Sequence, residues 1–138
     1  MSLFYIISIC WAVVSFIVLL VAWRMAVEGK IRAHKGLMIF LTLGAWVFIS
    51  GYFFNQSYDM REQTLPVAFI IWIAFHGTIG LLVLIGASGL VISRLRGRGR
   101  DAASESHFNR YHKLYGRALV VLWLFSHLGG IFNALFLQ

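Results

Sequence analysis

The stretch His112–Gln138, HKLYGRALVVLWLFSHLGGIFNALFLQ, decides the fold. It is long and apolar enough to cross a bilayer, whose hydrocarbon takes about 20 residues of helix. It also carries two histidines, His112 at its entrance and His127 near its middle. A polar ring at that depth is costly without a partner, so His127 is the first functional candidate.

Three further apolar runs precede it, over 3–27, 35–54 and 66–93, and the fourth spans 112–137. Backbone groups in lipid must bond within their own segment, so all four read as helices and not strands. The chain has 138 residues, is 60% hydrophobic and only 12% charged, and its mean hydropathy is +0.81. A soluble domain carries about 25% charged residues. The sequence therefore predicts an all-α, four-helix integral membrane bundle forming one domain over residues 1–138. The N-terminal run lacks a basic leader and a small-residue cleavage site, so it reads as a retained first helix. Gly29 is placed to end helix 1 and Pro66 to fit the first turn of helix 3. Gly97 and Gly99 loosen the start of the third connector, and Ser104 or Ser106 would cap a helical extension carrying His107.

The net charge of +7 invites a nucleic-acid reading. The basic residues instead fall almost entirely in two connectors, around Arg24–Lys35 and Arg94–Lys113, while the second connector holds Asp59, Glu62 and a lone Arg61. That is the positive-inside pattern, which puts both basic connectors in the cytoplasm and both termini opposite, and leaves no face for nucleic acid. A bacterial inner membrane is the expected location. The single cysteine, Cys10, lies inside an apolar run, which leaves no disulfide framework and no cysteine metal motif. AHKGLMIFLTLGAWVF from Ala33 echoes YHKLYGRALVVLWLF from Tyr111, as if two helical hairpins were parallel repeats.

Depth sorts the histidines. His76 lies ~15 Å past Pro66 along a helix, and His127 lies ~16 Å before Gln138, so the two share a level. His34 and His112 stand at the cytoplasmic entrances of helices 2 and 4. On helix 4, His112 and His127 are ~22 Å apart and ~60° apart in azimuth, on roughly one face. The acids Glu28, Asp59, Glu62, Asp101 and Glu105 all lie in or beside connectors. A di-iron carboxylate site is thereby excluded, and zinc would want more ligands than two histidines. Haem brings its own equatorial nitrogens, so two axial histidines suffice. The expected metal ligands are His76 and His127 on one haem b. His34 and His112 would form a second haem or a quinone site.

Gly77, Gly80, Gly129 and Gly130, beside the two buried rings, read as room for the macrocycle. Small residues in membranes also serve close packing, the reading given to Gly86, Ser88 and Gly89. Interfacial histidines are cheap because water reaches them. His34 and His112, however, sit at helix starts among Arg32, Lys35, Arg110, Lys113 and Arg117, which suit propionates, a quinone head group or anionic lipid. Ser126 adjoins His127, but helical neighbours point ~100° apart and form no dyad. No nucleophile–base pair or phosphate loop is evident, so redox activity would be the cofactor's own.

The segments FHGTIGLLVLIGASGLVISRL and YHKLYGRALVVLWLFSHLGGIF resemble those of the small b-type membrane cytochromes of the cytochrome b561-like group. The likeness covers the last half of the chain and, more loosely, helix 2. It implies transmembrane electron transfer through two bis-histidine haems, with His76 and His127 on one and His34 and His112 on the other. This chain departs from the group in having four helices and in placing its cytoplasmic histidines at helix starts. HKGLM is also similar to segments of four-helix bacterial proteins associated with maturation of haem–copper oxidases. Three functions follow as expectations. The first is a haem b electron carrier serving a quinone, a redox partner or a larger membrane complex. The second is a haem- or copper-handling assembly factor, and the third a cofactor-free accessory subunit.

Overall fold

The computed structural model describes residues 3–59, 66–96 and 110–136. Four helices account for nearly all of them: α1 (Leu3–Val27), α2 (Ile31–Asp59), α3 (Val67–Arg96) and α4 (His112–Phe136). There is no strand among the described residues. Each helix contains a span of at least 22 residues long and apolar enough to cross a membrane. The chain is an integral membrane protein. Gly97, Gly99, Ser104, Ser106, His107 and Glu62 lie outside the described residues.

The boundaries follow from local chemistry. At the end of α1, Gly29 takes φ +74°, Lys30 N–H donates to Met25 O at 2.8 Å, and Gly29 N–H donates to Ala26 O at 3.2 Å. This is a Schellman closure, in which the glycine supplies the left-handed turn that a side chain would resist. Because the turn closes at Lys30, α2 begins at once. His34 N–H already donates to Lys30 O at 3.0 Å, so the helix starts four residues before the apolar run predicted from Lys35. Arg32 and Lys35 ride on its first turns, where long basic side chains reach back toward water. Pro66 precedes the first helical residue of α3, and its carbonyl accepts from Ile70 N–H at 3.2 Å. It therefore serves as the cap and not as a member of the first turn.

Packing runs in a ring. Neighbouring helices touch as α1–α2, α2–α3, α3–α4 and α4–α1, while α1 and α3, and α2 and α4, stand diagonally without packing. The middle of the bundle is filled from all four helices by Leu19, Leu41, Val83, Leu84, Ala87 and Trp123. Glycines let the helices close on one another. The Trp11 ring occupies the space above Gly44, and a Cβ on Gly86 would lie 2.8 Å from Leu119. Trp46 Nε1–H donates to Ser88 Oγ at 3.0 Å, tying α2 to α3. The apolar layer separates two polar levels, one at the basic end of the bundle and one in the opposite half.

Candidate functional site

In the half away from the basic end, His127 is 9% exposed and Ser15 on α1 is 1% exposed. They face each other: Ser15 Oγ lies 2.6 Å from His127 Nε2. The other ring nitrogen, Nδ1, lies 2.8 Å from the carbonyl of Trp123 one turn earlier. Both nitrogens of the buried ring are thus engaged by the protein. The costly group singled out in the sequence has hydrogen-bonding partners within the chain.

His76 on α3 reaches the same level, near enough to His127 for their charges to repel. Its ring lies over Gly129, where an added Cβ would come within 2.5 Å of Nδ1, and that nitrogen is buried with no hydrogen-bond partner. Trp72 stacks on the ring with centroids 6.2 Å apart, and its own Nε1–H donates to Asn133 Oδ1 on α4 at 2.6 Å. The shared depth of His76 and His127 is therefore realised, but the seam between α3 and α4 is filled by protein. The room expected for a macrocycle at Gly129 holds the His76 ring. Gly80 faces Ser126 Oγ, 3.3 Å from where its Cβ would be, and so permits close helix approach. Gly77 and Gly130 have nothing within 4 Å of that position. An axial role for His127 would require Ser15 to leave the ligating nitrogen, so these two rings do not fit the haem expected between them.

The basic end is arranged differently. His34 Nδ1 lies 2.9 Å from the carbonyl of Ala22 on α1, which fixes the proton on Nδ1 and leaves Nε2 free. That is the tautomer a metal-ligating histidine adopts when a backbone carbonyl orients it. His112 lies on the diagonal helix α4, within electrostatic reach of Arg94 and His34. Its Nδ1 is buried and has no hydrogen-bond partner. A polar atom in that condition costs about 1–3 kcal/mol. The first two turns of α2 and α4 also carry Arg32, Lys113 and Arg117, all exposed, and Lys35, half-buried. Glu28 is already held by Arg24 and Lys30, each at 2.7 Å. The Arg24 hydrogen bond first and Lys30 second lower its pKa below the usual carboxylate value. The basic cluster therefore has no acid left to answer it among the described residues.

The donor set is two imidazoles with a positive rim, and no group of three or more histidine, cysteine or acidic ligands exists among the described residues. This suits a cofactor that needs axial ligands only and carries its own anionic groups. No family model matches the chain, and neither does any curated protein or solved structure. Sequence reading passed over Ser15, since a lone hydroxyl in an apolar helix usually bonds its own backbone. Thr42 does this, donating to Met38 O at 2.8 Å. Only the α1–α4 packing sets Ser15 apart.

Proposed function

We propose that this protein is a haem b electron carrier of the membrane, with His34 and His112 holding the cofactor in the basic half between the diagonal helices α2 and α4. The observation that carries the reading is the buried, unpartnered Nδ1 of His112 across from a His34 ring whose Nε2 is free. Haem b, when bound, supplies one-electron chemistry at its iron. The chain's own residues bind and orient it. Ala22 O, accepting from His34 Nδ1–H, fixes that ring's direction and raises the basicity of Nε2. Arg32, Lys35, Lys113 and Arg117 offer charge-assisted hydrogen bonds to propionates or to the head group of a quinone. The apolar layer around Trp123 excludes water from the side facing the bundle centre. In this reading the basic end is cytoplasmic, the membrane is the bacterial inner membrane, and a quinone, a redox partner or a larger membrane complex exchanges electrons with the protein.

The test is a reduced-minus-oxidised spectrum of the purified protein. Bands of a b-type haem are expected, lost in His34→Ala and in His112→Ala and retained in His127→Ala. Wild-type protein without such bands would end the reading. A second reading, a cofactor-free accessory subunit of a larger complex, is favoured by the closure of His127 on Ser15 and of His76 on Gly129. It predicts a stoichiometric partner on gentle purification and no haem in this chain.

A further inference from the structure

The half of the bundle away from the basic end holds a hydrogen-bonding chain that the haem reading leaves unused. It runs from the Trp123 carbonyl to His127 Nδ1 (2.8 Å), then from His127 Nε2 to Ser15 Oγ (2.6 Å), and from Ser15 Oγ to the Trp11 carbonyl (2.5 Å). Each of these contacts needs one hydrogen to be a hydrogen bond. A neutral imidazole and a hydroxyl bring one hydrogen each, which leaves one contact unfilled; an imidazolium and a hydroxyl fill them all. With a neutral ring, Nδ1–H donates to Trp123 O and the Ser15 hydroxyl donates to Nε2, so that Ser15 Oγ meets the Trp11 carbonyl with no hydrogen between them. With one proton added, Nε2–H donates to Ser15 Oγ and the hydroxyl turns to Trp11 O. The change needs only the rotation of one hydroxyl. The added charge then lies between two carbonyl oxygens, one on α1 and one on α4.

The surroundings of the ring are apolar apart from one other titratable group. From α1 the ring meets Ser15 and the Phe16 ring, centroids 6.3 Å apart. From α4 it meets the Trp123 ring, also at 6.3 Å. From α3 comes His76, the other titratable group near it, and α2 does not pack on α4. No acid occurs in α1, α3 or α4. A charge on His76 would repel one on His127, so charging one ring disfavours charging the other.

We propose that Ser15 and His127 form a proton-binding site inside the membrane-spanning bundle. The proposal concerns different residues from the haem reading and stands or falls separately. Ring-nitrogen NMR of histidine-labelled protein in lipid nanodiscs tests it, with the His127 signals assigned by their loss in His127→Asn. At neutral pH the Nδ1–H tautomer is expected, and on acidification both nitrogens should move to imidazolium positions. Loss of the charge-assisted bond in Ser15→Ala should weaken proton affinity roughly tenfold or more, moving the midpoint down by at least about one pH unit. A His127 ring that stays neutral throughout acidification would overturn the proposal in the wild-type protein, without reliance on any variant. An unchanged midpoint in Ser15→Ala would overturn the role of the hydroxyl.

Discussion

At the scale of single residues, the histidines differ in what their Nδ1 atoms meet. His34 and His127 have a backbone carbonyl there, while His76 and His112 have nothing. For His76 the reason is steric, since the atom faces Gly129 on the next helix. Replacing Gly129 by alanine must push the ring out of its seat between Trp72 and α4. The expected loss is about 1–3 kcal/mol, the ordinary cost of overfilling a packed interior. Thermal unfolding in detergent measures it. Gly130→Ala, next in the chain with open space at the same position, should change the midpoint little. Equal losses in the two variants would mean that helix backbone effects, and not the ring, set the cost. The sequence made these histidines legible as candidates because rings in apolar runs are conspicuous. It could not show that His127 had already found a partner. Nothing in the spacing of Ser15, 112 residues away in the chain, points to α4.

At the scale of helices, hydropathy located every span but misjudged some ends. Charged residues interrupt the apolar runs without interrupting the backbone, so α2 begins at Ile31 and α3 continues through Arg94 to Arg96. Gly29 was legible as a stop because its role depends on backbone alone. Gly29→Ala keeps every side-chain contact and forces a Cβ into φ +74°. The expected destabilisation is about 1 kcal/mol, read as a lower unfolding midpoint with the spectrum of the folded state unchanged. No change would show that the turn between α1 and α2 relaxes to another closure. The glycines facing neighbouring helices divide in a way composition could not reveal. Gly44 and Gly86 give space to Trp11 and Leu119, whereas Gly77 and Gly130 meet nothing within 4 Å among the described residues. Which of the two a glycine does depends on its azimuth relative to a neighbour, a quantity fixed only when the bundle closes.

At the scale of the whole molecule, the ring order of the helices reverses the ranking of the two histidine pairs. Equal depth suggested that His76 and His127 shared a cofactor, but depth says nothing of which helices are neighbours. The pair on adjacent helices sits in a closed seam. The pair on diagonal helices does not, and it holds the free Nε2 and the unpartnered ring nitrogen at the basic end. Two half-molecules are also visible in the packing, since α1 with α2 and α3 with α4 each form an antiparallel hairpin closed by its own glycine contacts. Helices in a bilayer are stable singly before they associate, so hairpins of this kind can insert first and dock afterwards. The protein should therefore tolerate being made as two polypeptides, divided between Asp59 and Pro66. Co-expressed halves are expected to copurify, joined by Trp46 with Ser88 along one seam and by Ser15 with His127 along the other. Halves that fail to copurify would mean that the covalent link, and not the seams, holds the bundle closed. If they do find each other, the hydroxyl of Ser15 acquires a second meaning: it is a recognition mark by which one inserted hairpin identifies its counterpart in the plane of the membrane.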